Sequence, residues 1–555
     1  MAAPRTTARP RDGVGRRRVR EVRGGRRQRR SGRLDAAARP AVTENPCATP
    51  YGAATGRATY FPGRHRRHRH PVARRVVTAA RPRGTSGAVL TDPVHRLLAA
   101  AASPGDLAAA RAQMGFSLAW HIVVACLGVG LPLLTLVTEW RGLRTGDPVL
   151  RLLARRWARA MGVLFAVGAV SGTILSFELG LLWPGLMGRY GQVIGLPFAL
   201  EGIAFFIEAI FLGIYLYAWD RLPPRVHLWT GVPIVVAGVA SAFFVVCANA
   251  WMNQPSGFTV RAGRITAVDP WAAMLNPAAP PQSVHMILAA LMVAAFLTAS
   301  VHACALLRGR RTAYQRAGFL VPFVLGAAVT PLQIVVGDWA ARFVAANQPV
   351  KLAAMEGVFR TGGHVPLTLG GVAGADGMRY GLEIPSGLSL LIGDSPDAVV
   401  RGLDRVPPAQ RPAVTGVHWA FDLMVAAGFF LLFMAAWLLF AWWRARRTGS
   451  GDPLAVRGGR VFLPLAALTG PAAVVALECG WCVTELGRQP WIVQGLMTVR
   501  EAVNPAPGLG TGLWLVLAVY AAMTAATVAV LRRMTAERPV PVAPQERDVE
   551  DYPVV

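Results

Sequence analysis

The chain alternates between long apolar runs and connections rich in Arg, Gly and Pro. Nine apolar runs are long enough to cross a bilayer, because ~20 helical residues at ~1.5 Å each span the hydrocarbon layer. They occupy residues 113–140, 158–182, 194–219, 227–251, 284–307, 317–344, 415–443, 462–485 and 510–531. The pattern therefore predicts an all-α, multi-spanning membrane protein with about nine transmembrane helices in a lipid bilayer.

Composition supports this class and changes how the charge is interpreted. Hydrophobic residues make up 53% of the chain and charged residues 16%, against ~25% charged in soluble domains. The net charge of +28 is concentrated in an Arg-rich stretch within residues 1–95, without interleaved aromatic residues or a folded module around it. We therefore expect no nucleic-acid partner. We expect a disordered extension here, and its lack of an export signal favours a start codon assigned too far upstream.

The distribution of Arg predicts the orientation of the bundle. Arg is enriched in the connections after the first, third, fifth, seventh and ninth runs, as in "WWRARR" at residues 442–447. The positive-inside rule places these connections in the cytoplasm. Residues 105–344 then form the first six helices, 345–414 an external loop, 415–531 the last three helices, and 532–555 a cytoplasmic tail.

Several ionisable side chains interrupt the apolar runs. Such residues are costly in hydrocarbon and are functional hypotheses by default, although each alone is equally consistent with a packed, hydrogen-bonded side chain. They are His121, Glu178, Glu201, Glu208, His285, Asp338, Asp422, Glu478 and Glu485. Glu201 and Glu208 are seven residues apart and therefore share one helix face.

Depth groups some of these residues. Counted from the outer helix ends at ~1.5 Å per residue, His121, Met424, Glu201 and Glu478 lie ~10–14 Å deep, whereas Glu208 lies near ~20 Å. His285 falls near the outer surface. Imidazole, thioether and carboxylate are all ligands of haem iron, so we expect haems in the outer half of the bundle. Met424 alone would be an ordinary core residue.

The chain resembles subunit I of the cytochrome bd-type quinol oxidases over residues 105–531. The resemblance rests on ordered stretches: "ARAQMGFSLAWHI", "GLPFALEGIAFFIEAIFLGIYLYAWDRL", "NAWMNQP", "VHMILAA", "VVGD", "KLAAMEG", "FDLMVAAGFFLL" and "LECGWCVTELGRQPW". It implies a terminal oxidase of the bacterial plasma membrane. Such an oxidase oxidises ubiquinol or menaquinol at the outer face, reduces O2 to water and generates a proton gradient without pumping. The implied partner is a homologous subunit II, with or without a small single-helix subunit.

The resemblance also implies residue roles. His285 and Met424 would bind low-spin haem b. His121 and Glu478 would bind the two high-spin haems, haem b and haem d (or a further haem b in its place), and which residue takes which haem stays open. Glu201 would lie beside this pair and Glu208 in the proton route.

Two positions depart from the family pattern. Asp422 stands where many members have Arg, two residues before the ligand Met. Glu178 in "SFELGLLWPG" stands where another branch has Gln, and this wording is similar to the cyanide-insensitive branch, in which haem b can replace haem d.

Lys351 is the only lysine in the chain. The resemblance places Lys351 and Glu356 at the quinol, where an ammonium offers a compact donor whose pKa can shift. Chance retention of one lysine is the alternative. Two other functions stay open: an ion-coupled transporter using the Glu201 and Glu208 face without haem, and a b-type cytochrome that does not reduce oxygen.

Overall fold

The computed structural model describes residues 103–261, 264–449 and 459–536. The predicted extension of residues 1–95 and most of the predicted tail lie outside this part of the chain. Within it, nine helices are long and apolar enough to cross a membrane, which confirms the predicted number. They are α1 (Pro104–Thr145), α2 (Pro148–Leu182), α3 (Pro184–Tyr217), α4 (Val232–Asn253), α5 (Ala279–Leu307), α6 (Ala313–Asn347), α7 (Val414–Arg447), α8 (Gly459–Leu486) and α9 (Leu509–Ala536).

Helix boundaries follow local chemistry rather than hydropathy. The Ser103 hydroxyl accepts a hydrogen bond from the Asp106 N–H at the start of α1, and Asp147 caps α2 in the same way. Both helices have Pro in the first turn, where no N–H partner is needed. Gly146 ends α1 with a φ of 71°, which glycine adopts without strain. These caps extend the helices beyond the apolar runs.

Short elements lie between the long helices. Short helices cover Pro224–Thr230, Pro270–Met274, Pro349–Met355, Gly387–Gly393 and Val499–Ala502, and 3-10 turns cover Leu403–Arg405 and Pro408–Gln410. The strands are β1 (Thr259–Arg261), β2 (Arg264–Thr266), β3 (Leu367–Leu369), β4 (Val372–Ala373), β5 (Met378–Arg379), β6 (Leu382–Ile384), β7 (Trp491–Val493) and β8 (Met497–Thr498). They form the antiparallel pairs β1–β2, β3–β6, β4–β5 and β7–β8. The protein remains helical in class, since each sheet has two strands.

The long helices pack against one another in pairs and in one larger group. α1 contacts α2 and α5, α3 contacts α4, and α5, α6, α7 and α8 pack together. α9 packs on α1 and α2, and much of its surface is exposed, as at Trp514 and Leu515. The segment between α6 and α7 has its own buried core, which includes Leu352, Leu388 and Leu403. This segment is therefore folded onto the ends of the helices.

Candidate functional site

Lys351 lies in the short helix Pro349–Met355, directly after α6. Its side chain is only 6% exposed, and Nζ donates a hydrogen bond of 2.5 Å to Asn253 Oδ1 at the end of α4. Gly487 makes room for the stem, because a Cβ there would lie 2.8 Å from Lys351 Cγ. Burial and the neighbouring charge of Arg488 lower the Lys351 pKa to about 7, against the opposing effect of Glu485. The sole lysine can therefore gain and lose its proton near neutral pH.

A polar network extends from Lys351 through three of the quoted motifs. Asn253 Nδ2 donates to Asn249 Oδ1 at 3.2 Å, and Asn249 Nδ2 donates to Glu485 Oε1 at 2.6 Å. Glu485 in turn pairs with Arg488. The stretches "KLAAMEG", "NAWMNQP" and "TELGRQPW" thus meet in one cluster, which we call the Lys351 cluster: Asn249, Asn253, Lys351, Glu485 and Arg488.

The Arg488 guanidinium has N–H donors that are not used in hydrogen bonds. Its side chain is 3% exposed, and Nε and Nη1 have no hydrogen-bond partner among the described residues. In the same part of the chain, Gln348 Nε2 and Gln254 Oε1 are also buried without a partner. Buried polar groups are nearly always hydrogen-bonded. The Lys351 cluster is therefore suited to a ligand whose oxygens accept and donate hydrogen bonds.

Glu356 follows the Lys351 helix and is buried, with its pKa raised to about 8 by burial and by the nearby charge of Asp422. The Lys351 hydrogen bond goes to Asn253, whereas Glu356 interacts electrostatically with Asp422.

Asp422 ties the segment between α6 and α7 to α7. Its Oδ2 accepts from the Gly370 N–H at 2.6 Å and lies 3.4 Å from His418 Nε2. His418 Nδ1 and Nε2 lie 2.6 and 3.0 Å from the carbonyl oxygens of Met355 and Gly370. Asp422 and His418 thus connect α7 to the backbone of Met355 and Gly370.

His121 on α1 has a defined orientation. Its Nδ1 lies 2.7 Å from Ser171 Oγ on α2, and Ser171 donates to the Gly168 carbonyl at 3.0 Å. Since the Ser171 hydrogen is used, His121 Nδ1 must donate, and its Nε2 keeps a lone pair in the neutral ring. Gly172 lies against this imidazole, where a Cβ would be 3.4 Å from Cε1.

His285 and Met424 also pack against helical glycines. A Cβ at Gly337 on α6 would lie 3.6 Å from His285 Cε1, and one at Gly480 on α8 would lie 2.9 Å from Met424 Sδ. Gln333 Nε2 lies 3.2 and 3.3 Å from the two His285 ring nitrogens. Small residues therefore make room beside all three predicted neutral ligands.

Glu201 and Glu208 interact electrostatically, and each acid otherwise has its own neighbours. Glu478 on α8 interacts electrostatically with Cys126 on α1, which brings it to the helix that carries His121. Glu201 accepts a hydrogen bond of 3.2 Å from Ser241 on α4. Glu208 lies against Gly238, where a Cβ would be 3.5 Å from Oε2. α4 thus presents small residues to both acids of α3.

The donor set fits haem better than a free metal ion. The described residues contain no group of three His, Cys, Asp or Glu side chains that could bind a metal ion together. Haem iron needs only one or two axial side chains, because the macrocycle supplies the rest. His121, with its Nε2 lone pair, and His285 and Met424, with glycine beside each, match that requirement.

Sequence reasoning missed several residues of these clusters. Asn249, Asn253 and Arg488 lie inside stretches that were recognised as motifs, yet no role was assigned to them. Ser171 and His418 gave no signal beyond a polar residue within or beside an apolar run.

Comparison with known proteins gives concordant matches. The family model for cytochrome bd terminal oxidase subunit I matches residues 109–539. A Bacillus subtilis (strain 168) protein, provisionally named cytochrome bd menaquinol oxidase subunit I, is 35% identical over 442 residues, or 78% of this chain and 98% of that protein. The cytochrome bd ubiquinol oxidase subunit 1 of the same organism is 29% identical and covers 74% of this chain and 89% of its own length. The solved bd oxidase from Geobacillus thermodenitrificans matches with a TM-score of 0.73 and 38% identity, covering 78% of this chain and 99% of that one.

Proposed function

The chain belongs to the cytochrome bd terminal oxidase subunit I family, and from that membership we propose that it oxidises quinol and reduces oxygen to water. It is then a quinol:oxygen oxidoreductase of a respiratory chain. Family membership favours this function over an ion-coupled transporter without haem. It also favours it over a b-type cytochrome that only carries electrons.

The family implies haem cofactors, and the donor set described above supports particular places for them. We assign low-spin haem b to His285 and Met424. We assign the two high-spin haems, haem b with haem d or a further haem b, to His121 and Glu478. Bound haem would supply electron storage and the iron that binds oxygen.

The chain's own residues would orient these ligands. Ser171 fixes the His121 tautomer, so that Nε2 rather than Nδ1 carries the lone pair for iron. Such outer-shell hydrogen bonds set ligand orientation and basicity. Gln333 would do the same for His285, which it approaches from α6.

The observation that carries the quinol site is the pair of unpartnered Arg488 donors beside Lys351. A quinol hydroxyl accepts from such donors and gives its own hydrogen to an acceptor. Glu356 is suited to take the proton, since a pKa of about 8 matches a base that works near neutral pH. The charged Lys351 cluster would hold the ring oxygen while Glu356 receives its proton.

Protons for water formation need a separate route. The positive-inside orientation puts the Lys351 cluster outside and Glu208 nearer the cytoplasm than Glu201. Each quinol releases two electrons and two protons, and the protons leave on the outer side. The protons consumed with oxygen would come from inside through Glu208 and then Glu201, which separates charge without a pump.

The setting follows from the same proposal. The protein is a membrane protein, and we place it in the bacterial plasma membrane with its C-terminus in the cytoplasm. A homologous subunit II is the expected partner, with or without a small single-helix subunit. The α3 face that exposes Phe206 and Ile210 is apolar enough to contact lipid or such a partner.

Spectroscopy on purified protein tests the haem assignment. Met424→Leu should remove the six-coordinate low-spin signal from the reduced-minus-oxidised spectrum, because leucine has no iron ligand. Met434→Leu on the same helix is the matched control, since Met434 is fully buried but has no assigned ligand role. An unchanged low-spin signal in Met424→Leu contradicts the ligand assignment, and protein without haem contradicts the oxidase itself.

A further inference from the structure

A second buried polar cluster lies where α1, α2 and α9 meet. It consists of Gln113, Ser117, Glu178 and Tyr520, and none of the four has a role in the function proposed above. Glu178 is 4% exposed, and its Oε1 accepts from Gln113 Nε2 at 3.0 Å and from Ser117 Oγ at 2.9 Å. The Tyr520 ring is held by Phe116 and Trp120 on α1, with centroids 5.8 and 4.9 Å away.

Three oxygens of this cluster are buried without a hydrogen-bond partner among the described residues. They are Glu178 Oε2, Gln113 Oε1 and the Tyr520 hydroxyl. The Gln113 amide oxygen can only accept a hydrogen bond, and no group among the described residues donates one to it. It points towards α9, where a Cβ at Gly512 would lie 3.1 Å away.

The surroundings of Glu178 disfavour its ionised form. None of the ion pairs among the described residues includes Glu178, so a carboxylate there would have only two neutral donors, both on one oxygen. An unpaired buried charge is costly, and such a group normally becomes neutral instead. Adding a proton to Oε2 turns one unpartnered acceptor into a donor, which is what the amide oxygen of Gln113 lacks.

We propose that Glu178 is a buried carboxylic acid that stores an exchangeable proton on Oε2, in a small water-binding site formed with Gln113, Ser117 and Tyr520. Water is the ligand class that fits, because a single molecule can donate to Gln113 Oε1 and accept from Tyr520 or from the acid. Exchange is balanced: the proton moves from Oε2 to the water and leaves a carboxylate, and its return restores the acid.

The position of Glu178 relative to His121 connects this proton to the proposed oxygen chemistry. Ser117 precedes His121 by four residues, which is ~6 Å along the helix axis. Ser171, the partner of His121, lies seven residues before Glu178 on α2. Resting on the proposed function, the Glu178 proton is a second store for oxygen chemistry, on α2 and separate from the Glu201 and Glu208 face of α3.

Infrared spectroscopy of the oxidised, intact complex tests the protonation state without turnover. Glu178→Gln should lose a carboxylic-acid C=O band that shifts in D2O in the native protein. Glu501→Gln is the matched control, because hydrogen bonds from Thr498 lower the Glu501 pKa, so this variant should lose carboxylate bands instead. Carboxylate loss in Glu178→Gln, or no loss of an acid band, overturns the proposal.

A second variant covers the case in which Glu178→Gln does not assemble. Ser117→Ala removes one donor to the acid carbonyl and should move the same band to higher wavenumber, and an unmoved set of acid bands overturns the proposal.

The redox role is measured separately. Reduction should perturb the acid band in the native protein, and an unperturbed band contradicts the coupling. Absence of haem would contradict the oxidase function but leave the acid band in place.

Discussion

The Lys351 cluster and the acidic face of α3 differ in how many hydrogen-bond partners their ionisable side chains have. In the cluster, Lys351 is bound to Asn253, Asn249 to Glu485, and Glu485 to Arg488. On α3, Glu201 has one hydrogen bond to Ser241, and the part of the chain that the structure describes gives Glu208 no hydrogen-bond partner. One region is a connected hydrogen-bond network, whereas the other is a pair of acids that interact electrostatically and have few hydrogen bonds.

This difference corresponds to two tasks. A connected network fixes the positions of its donors, as recognition of a ligand oxygen requires. An acid in a membrane-spanning helix with few hydrogen bonds has little to stabilise its charge, so it tends to carry a proton and can pass it on. The comparison therefore predicts that changes in the cluster alter quinol binding, whereas changes on α3 alter proton delivery.

The largest effect should come from Glu208→Gln. Glutamine keeps the shape but cannot carry a transferable proton, so oxygen consumption should fall about 100-fold, within the range for losing a proton-transfer group. The KM for quinol should stay the same. Steady-state spectra should show the haems more reduced than in the native enzyme, since electrons arrive without protons.

The exposed Glu383 on β6 gives the matched control. Glu383→Gln should leave turnover unchanged. If Glu208→Gln changes the quinol KM and not turnover, the assignment of tasks to the two regions is wrong.

Lys351→Arg should have the next largest effect. The buried stem packs against Gly487, and a planar guanidinium is larger than the ammonium that bonds Asn253. We expect the KM for quinol to rise about tenfold, comparable to losing one charge-assisted hydrogen bond. The native KM should also rise as pH increases through about 7, because the ammonium is lost there. The arginine variant should lack that step, since guanidinium stays charged.

Arg360→Lys in the same segment is a suitable control, because Arg360 is exposed. It should leave both the KM and its pH dependence unchanged. A native KM that is flat around neutral pH would mean that Lys351 does not titrate in contact with quinol.

The sequence predicted the spanning helices well, because an apolar run long enough to cross a bilayer is compatible with few structures other than a membrane-spanning helix. It predicted the boundaries less well. α1 begins at Pro104 and ends at Thr145, because Ser103 and Gly146 cap it, whereas the apolar run covers only 113–140. Caps act through single hydrogen bonds and single φ angles, which hydropathy does not register.

The sequence singled out individual residues of the candidate site but not their hydrogen-bond network. Lys351 stood out by composition, and Glu201 and Glu208 by their cost in hydrocarbon. Asn253 and Arg488 lie near helix ends, where polar residues are ordinary, so nothing in the sequence indicated that they would meet Lys351. Their contact depends on how α4, α8 and the Lys351 helix pack together. The amino-acid sequence alone does not show that packing.

Glu356→Gln should have a smaller, pH-dependent effect on stability. The folded pKa of about 8 lies above the ordinary glutamate value of 4.5, so the folded state holds the proton more tightly. The resulting stability is fully present below about pH 4.5 and is lost as pH rises through about 8. The native thermal midpoint should thus fall relative to that of Glu356→Gln between these pH values. Scanning calorimetry of the solubilised complex measures it, and parallel curves for the two proteins would contradict a raised pKa.

Ser241→Ala should have the smallest effect and sharpens the contrast most. The Ser241 hydroxyl is an uncharged donor, and its 3.2 Å bond to Glu201 is longer than is usual for a hydroxyl donor. Turnover should change less than about twofold, because a neutral hydrogen bond contributes little net free energy. Asn253→Ala removes an equally neutral side chain but leaves the buried Lys351 ammonium without its acceptor, so it should raise the quinol KM by clearly more. Equal effects of the two substitutions would mean that the network and the pair of acids do not differ in function, and the division of tasks between the two regions would have to be abandoned.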